Sequence, residues 1–242
     1  MYKARLLLFF ALVTIISSSC RLNILRGKGN KTIDTRTVTA FSYIEISLPV
    51  DVAITVNKDA QPGLTIAGYE NVLKHIETKV SHDTLEVELE RGWLMIDGED
   101  TKVQINMPEI KGLFLSGASK TGIEGNITGG SFTLDISGAA KVAIANLNTS
   151  DFSSEISGAA EINIDSGKVQ RAEYGVSGAA KIHAYGLHCA EATVDISGAG
   201  SAQITTEQKL TTDISGAGSI HYKGHPQITQ SVSGAGSVKD EN

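Results

Sequence analysis

The ten residues Asp135-Ile-Ser-Gly-Ala-Ala-Lys-Val-Ala-Ile144 return twenty residues later as Glu155-Ile-Ser-Gly-Ala-Ala-Glu-Ile-Asn-Ile164. Their Ser-Gly-Ala centre occurs seven times, at intervals of 18 to 21 residues. The seven serines are Ser116, Ser137, Ser157, Ser177, Ser197, Ser215 and Ser233. A repeat of this period is typical of a solenoid, in which each repeat forms one coil and packs on its neighbours.

Apolar residues occupy fixed positions around each serine. The residue before it is Leu, Ile or Val in all seven repeats, and further apolar columns stand five residues before, five after and seven after. These odd offsets correspond to a period of two, which indicates β-strands with one face in the core. Between the strands, Ser-Gly-Ala predicts a tight corner in which glycine can adopt a positive φ. The column three residues before the serine is mixed, and we expect it near a strand end or on a partly open side: Leu134, Ser154, Tyr174, Val194, Thr212 and Gln230.

The repeats therefore predict an all-β fold, a right-handed parallel β-helix with coils of about 20 residues. Identical columns would lie above one another at a spacing of about 4.8 Å, so that seven coils make a rod of roughly 34 Å. A left-handed helix built from six-residue repeats does not fit this period, and the sequence lacks the glycine-rich nonapeptide that binds calcium.

Residues 37–110 alternate in the same way but lack the Ser-Gly-Ala motif. We expect this β-rich half to continue the solenoid or to cap its first coil, because an unpaired strand edge would otherwise bind another chain. One helical turn is predicted at residues 70–76. Residues 20–36 are basic and contain Gly, so they are interpreted as a tether. Residues 37–242 would then be one continuous domain, with the repeat β-helix at residues 111–242.

The N-terminus has the pattern of an export signal. Lys3 and Arg5 precede an apolar run of eleven residues, which is too short to span a bilayer. Cys20 follows three serines, which resembles a bacterial lipoprotein cleavage site. Residues 1–19 are therefore interpreted as a lipoprotein signal peptide, and Cys20 as the residue that carries the lipid. Cys189 is then left without a cysteine partner, and we expect it to be buried as a small hydrophobic residue.

The motifs Phe41-x-x-Ile44-x-Ile46, Val50-Asp-Val-x-Ile-x-Val56 and Val103-x-Ile105-x-Met107-Pro108, followed by repeated Ser-Gly-Ala, resemble a known family. It is the putative auto-transporter adhesin, head GIN domain family of exported bacterial proteins, and the resemblance covers about residues 38–238. It implies a right-handed β-helix, often behind a lipoprotein signal. The adhesin description is itself an analogy, and the resemblance supplies no catalytic residues.

Charge and composition restrict the possible ligands. The chain has 27 Asp+Glu against 21 Lys+Arg, a net charge of −6, and no basic stripe, so nucleic acid is not an expected partner. The histidines lack metal-binding spacing, and the repeated serine is interpreted as a turn residue rather than a nucleophile. Trp93 is interpreted as a core or capping residue rather than an exposed sugar platform. No catalytic, cofactor-binding or metal-binding residues are predicted.

The position two residues before the serine carries Asp135, Glu155, Asp195 and Asp213. When stacked about 4.8 Å apart, neighbouring carboxylates have the spacing of a retaining glycosidase pair, and they would also suit Ca²⁺. We interpret the column as a solvated outer face, because alternation alone requires polar residues there. The sequence leaves open whether it binds anything.

The sequence predicts a non-enzymatic, lipid-anchored protein of the cell envelope. It is expected to be an outer-membrane lipoprotein on the periplasmic face or the cell surface, and to present a rigid β-helix to a glycan or protein partner. The alternative is a carbohydrate-active β-helix enzyme, a lyase or hydrolase, that uses the stacked carboxylates.

Overall fold

The computed structural model describes residues 23–95 and 100–242, and it confirms the all-β solenoid. The predicted signal peptide and Cys20 lie outside these residues. The strands are β1 (Asn23–Leu25), β2 (Lys31–Arg36), β3 (Tyr43–Ile46), β4 (Asp51–Val56), β5 (Gly63–Tyr69), β6 (Ile76–Ser81), β7 (Thr84–Leu89), β8 (Trp93–Met95), β9 (Lys102–Met107), β10 (Gly112–Leu115), β11 (Lys120–Gly125), β12 (Ile127–Ile136), β13 (Ala139–Ile144), β14 (Leu147–Ile156), β15 (Ala159–Ile164), β16 (Gly167–Val176), β17 (Lys181–Gly198), β18 (Ser201–Gly216), β19 (Ser219–Lys223), β20 (Gln227–Gly234) and β21 (Ser237–Asp240). The short helix α1 (Glu70–Leu73) confirms the predicted helical turn. In the described ranges, no helix has the length and apolarity needed to cross a membrane.

Two parallel ladders meet at the Ser-Gly-Ala corners. The ladder before the corners contains β10, β12, β14, β16, β17, β18 and β20, and its outward surface is called face A. The ladder after the corners contains β11, β13, β15, β17, β18, β19 and β21, and its outward surface is called face B. Ile136, Ile156, Val176 and Ile196 are consecutive register partners, so the predicted stacking of the aliphatic columns is confirmed.

Five of the six residues of the mixed column lie inside the core, and only Gln230 in the final coil is exposed, so the prediction that the column faces a partly open side is wrong for the earlier coils. Tyr174 is 1% exposed, and Ser154 and Thr212 are at most 2% exposed. The small Ser154 precedes Tyr174 in the ladder and leaves room for its ring, which packs edge-on against Phe152 with centroids 5.6 Å apart. The hydroxyls of Ser154 and Thr212 have no hydrogen-bond partner within the described ranges.

Only the last three corners use the predicted left-handed glycine conformation. Gly198, Gly216 and Gly234 have φ values of 140°, 132° and 110°, whereas the earlier corner glycines do not have positive φ. The glycines of the earlier corners are explained by the close approach of the backbone in the neighbouring coil. A Cβ on Gly178 would lie 2.2 Å from the carbonyl oxygen of Gly158 in the coil below. The stacked corners therefore require glycine because neighbouring backbones leave no room for a side chain.

The N-terminal half extends both ladders, but not in chain order. β3 lies between β7 and β10, and β4 lies between β9 and β11. The chain therefore builds the layer of β7 and β9 beyond β3 and β4, and then returns to begin the repeats. Antiparallel strands cover the outer edges, with β6 beside β7 and with β5 and β2 beyond β9. The prediction that this half continues and caps the solenoid is confirmed.

The tether prediction is wrong for the described part of residues 20–36. β1 pairs with β8, and β2 pairs with β5. Leu25 is buried, and the guanidinium group of Arg36 donates hydrogen bonds to the carbonyls of Leu73 and Ile76 at 3.1 and 2.7 Å. The bond to Leu73 satisfies a carbonyl at the end of α1 and the bond to Ile76 one at the start of β6, so both fix β2 to the cap.

The final coil leaves core positions in contact with solvent. Ile228 and Val232 continue columns that are buried in earlier coils, but they are 40% and 43% exposed. No strand within the described ranges covers β20 on its outer side.

Candidate ligand-binding face

The structure places four of the predicted carboxylates in one outward column of face A. Asp135 pairs with Glu155, and Asp195 pairs with Asp213, with Gly175 between the two pairs. These four carboxylates are called the acidic column. All four residues are exposed, because the side chains on either side of each one along the strand point into the core.

Gly175 creates a gap in the acidic column, which the Glu155 side chain enters. A Cβ on Gly175 would lie 2.2 Å from Glu155 Oε2, so any larger residue would displace this carboxylate. Partial burial, together with the charges of Glu173, Asp135 and Asp195, raises the pKa of the Glu155 carboxyl. The column is therefore a surface on which like charges are held close together by the ladder.

An open groove of about 440 Å³ follows the upper part of this column, and its lining includes Glu155, Asp195 and Asp213. The corner serines of three successive coils also line it: Ser177, Ser197 and Ser215. The lining residues include no Lys, Arg or His. The groove thus offers oxygen atoms that can accept hydrogen bonds from hydroxyl groups or attract cations.

Face B has a different charge pattern. Its first outward column mixes the two signs, with Asp51 between Lys102 and Lys120, followed by Lys141 and Glu161. The Lys141 ammonium lies 2.9 Å from the Glu161 carboxylate, and this contact lowers the pKa of Glu161. The two faces therefore differ, because only face A carries a column of carboxylates without a basic neighbour in the same column.

An aromatic pair that the sequence reasoning missed lies on face A, toward the capped end. Tyr43 and Phe114 have ring centroids 6.4 Å apart and planes inclined by 26°. Phe114 stands in the same column as Asp135, two residues before the first repeated serine. The available signal was therefore that Phe114 occupies a position where the second repeat has a carboxylate.

Trp93 does not contribute to the groove at Asp195 and Asp213. It lies on β8 at the capped end, is packed partly against the core, and contacts the His75 ring with centroids 4.1 Å apart. The interpretation of Trp93 as a packing residue is confirmed. His75 Nδ1 lies 2.7 Å from Glu90 Oε2. Within residues 23–95 and 100–242, no group of three or more His, Cys, Asp or Glu has an arrangement that would hold a metal ion.

Cys189 is buried, as predicted. It is 3% exposed, and its thiol donates a hydrogen bond to the carbonyl of Thr205 at 3.2 Å. Burial raises the pKa of this thiol to about 11. It is therefore a neutral core residue at physiological pH and not a nucleophile.

Comparison with known proteins agrees with this architecture. The family model described as "Putative auto-transporter adhesin, head GIN domain" matches residues 40–226. A putative adhesin from Bacteroides fragilis has a similar structure, with 22% identity, a TM-score of 0.79, and coverage of 90% of this chain and 100% of the other. A putative adhesin from Parabacteroides merdae has 23% identity and a TM-score of 0.73, and the match covers 91% of this chain and 100% of the other. A protein from Parabacteroides distasonis that is named as a putative lipid binding protein has 24% identity and a TM-score of 0.63, and the match covers 91% of this chain and 100% of the other. No curated protein matches the chain.

Proposed function

Because the chain belongs to the putative auto-transporter adhesin, head GIN domain family, we propose that it is a non-enzymatic adhesin of the cell envelope that binds a glycan or protein partner through face A. The family supports an adhesion-like role at the envelope. One observation carries the choice of face: an unbroken parallel ladder holds the acidic column beside an open groove. A surface of this kind can bind a partner without rearrangement.

Charge restricts the partner further. The carboxylates of face A favour hydroxyl-rich or cationic groups and repel polyanions. We therefore expect the acidic column to favour a hydroxyl-rich or cationic partner over nucleic acid or an acidic polysaccharide.

The proposal includes a lipid anchor on Cys20. Only two residues separate Cys20 from the start of β1 at Asn23, and the three residue steps from Cys20 to Asn23 span at most about 10 Å when extended. The anchor would hold the capped end near the membrane, while the repeats extend away from the cap. Replacing Cys20 with Ser should move the protein from the membrane fraction to the soluble fraction. Retention of the variant in the membrane fraction would contradict the anchor.

Binding through face A is tested with the purified protein on a glycan array and in pull-downs from envelope extracts. We expect a partner whose retention falls strongly when Glu155, Asp195 and Asp213 are changed together to Gln, Asn and Asn. Glu161→Gln is the matched control, because it removes one carboxylate from face B. Absence of any partner would refute an adhesive role, and equal loss in the control would refute the assignment to face A.

An enzymatic role has one supporting observation, since Asp195 and Asp213 are register partners within the groove. Neighbouring strands lie about 4.8 Å apart, which is close to the separation of carboxyl groups in retaining glycosidases. Polysaccharide turnover that is abolished by Asp195→Asn or Asp213→Asn would replace the proposal with this function. No release of reducing ends or unsaturated products is expected.

A further inference from the structure

The aromatic pair Tyr43–Phe114 is turned away from the core. Ile44, Leu113 and Leu115, which flank the two residues along their strands, are at most 2% exposed, so alternation directs both rings outward. Both aromatic side chains are half-buried. Their position is not explained by the hydrophobic core, because neither is among the residues packed against it.

Gly112 brings the two rings together. It is the register partner of Tyr43, and a Cβ at this position would lie 2.7 Å from Tyr43 Cδ1 and 3.3 Å from Phe114 Cε2. The rings therefore converge over a position that has no side chain. A centroid distance of 6.4 Å with planes only 26° apart describes offset, nearly parallel rings.

Hydrogen-bonding groups adjoin the rings. Phe114 lies between Glu45 and Asp135 in its column, and both are exposed. In the column of Tyr43 and Gly112, the flanking residues are Thr84 and Thr133. With neighbouring strands about 4.8 Å apart, carboxylate and hydroxyl oxygens stand on both sides of the rings along the ladder.

We infer that the Tyr43–Phe114 pair is a sugar-binding platform for an uncharged hexopyranose glycan; this inference rests on the proposed function and names its partner. The face of an aromatic ring carries negative charge. It attracts the weakly positive C–H groups on one side of a pyranose ring. The hydroxyl groups at the edge of that sugar donate hydrogen bonds to Glu45 and Asp135.

Two other ligand types fit the platform less well. A uronic-acid glycan would place its carboxylates against Glu45 and Asp135, which is repulsive. A cationic side chain is recognised best when rings surround it as a cage, whereas these rings are nearly parallel and offset. The geometry therefore favours a flat, neutral ligand.

The experiment measures binding of cellohexaose, mannohexaose and laminarihexaose by calorimetry, with polygalacturonate and an arginine-rich peptide as comparison ligands. We expect the wild type to bind at least one neutral hexaose. Phe114→Leu keeps apolar volume without a flat ring, and it should weaken binding at least tenfold, as should Tyr43→Ala. Tyr185→Ala, which removes a half-buried tyrosine from face B, should leave the affinity unchanged.

Gly112→Ala provides a variant that retains both rings. Its methyl group would displace the Tyr43 ring, so hexaose binding should fall while the urea midpoint stays close to that of the wild type. Gly122→Ala is the matched control, because nothing lies within 4 Å of its new Cβ.

The outcomes separate the platform from the broader function. If no neutral hexaose binds, if only polygalacturonate or the peptide binds, or if the ring variants bind as the wild type does, the platform is wrong. Should an envelope partner nevertheless be retained through the acidic column in any of these cases, the adhesive function stands without the platform. If no partner is retained either, both proposals fail.

Discussion

Replacement of Gly178 by Ala tests the stacked corners, which fix the register of both faces. The new Cβ would lie 2.2 Å from the Gly158 carbonyl oxygen, about 0.8 Å inside the 3.0 Å that real Cβ contacts respect. The corner has little freedom to move, because Ser177 N donates to Ile156 O at 2.8 Å and Ala179 N donates to Gly158 O at 2.9 Å. Relief of the clash must therefore strain or break the second of these bonds.

The expected loss in the free energy of unfolding follows from this hydrogen bond and from the strain around it. Loss of one backbone hydrogen bond in a packed corner, with some overpacking, costs about 2 to 3 kcal/mol. Alanine also reduces the conformational entropy of the unfolded chain, which stabilises the folded state by about 0.4 to 1 kcal/mol. The net expectation is a loss of about 2 kcal/mol in the free energy of unfolding.

Urea denaturation followed by circular dichroism measures this loss, which should lower the midpoint by roughly 0.7 to 1 M for a urea slope of about 2 to 3 kcal/mol/M. Gly122→Ala is the control, since it meets no atom within 4 Å, and it should be neutral or slightly stabilising. Equal stability of the Gly178 and Gly122 variants would refute the close-approach explanation of the corner glycines.

The remaining predictions concern buried polar groups, charge and the thiol. Thr212→Val removes an unpartnered hydroxyl and should stabilise the protein by about 1 kcal/mol. Thr206→Val removes a hydroxyl whose single hydrogen is within reach of the carbonyls of Ala190 and Lys209, and it should destabilise the protein; equal urea midpoints would contradict this account. Glu155→Gln should stabilise the protein at pH 7, because the raised pKa of Glu155 marks an ionised form penalised in the folded state, and the gain should vanish below the ordinary value of 4.5. Glu161→Gln should have the opposite sign at pH 7, because the lowered pKa of Glu161 marks a stabilised carboxylate whose contribution is lost on acidification; thermal melts across pH distinguish the two. Cys189, with a thiol pKa of about 11, should resist a thiol-specific disulfide reagent at pH 8 until urea unfolds the chain, and rapid native labelling would contradict its burial.

The part of the fold that could be predicted from the sequence is the part that depends on the local alternation of apolar and polar residues. Ile136, Ile156, Val176 and Ile196 could be aligned from sequence alone, because a one-residue slip would turn every apolar side chain outward. The acidic column followed from the same register, since Asp195 and Asp213 each stand beside an inward isoleucine.

The order of the N-terminal layers could not be predicted in this way. Alternation in β3 and β7 defines their inward faces, but it does not say which strand each will pair with. The same limit applies to β2, whose pairing with β5 depends partly on the distant contacts of Arg36 with Leu73 and Ile76. Long-range contacts of this kind leave no trace in local sequence patterns.

Two further features, one in the core and one on face A, could not be predicted from the periodicity of the sequence. The polarity of Ser154 suggested an open side, but its small size is what the neighbouring Tyr174 requires. The aromatic pair depends on Tyr43 meeting Phe114 across two strands that are far apart in the chain. A search for residues that depart from their repeat column would have found Phe114, though not its partner.

The central claim is that face A is one continuous, rigid ladder from β7 to β20, and electron–electron double resonance between paired nitroxide labels tests it directly. Thr84 and Thr229 stand in one outward column, eight strand steps apart, and Thr133 and Thr229 are five steps apart. At about 4.8 Å per step, the expected distances are roughly 38 Å and 24 Å, each with a narrow distribution. A Thr84–Thr229 distance no longer than that of Thr133–Thr229, or a broad distribution for either pair, would contradict the continuous ladder.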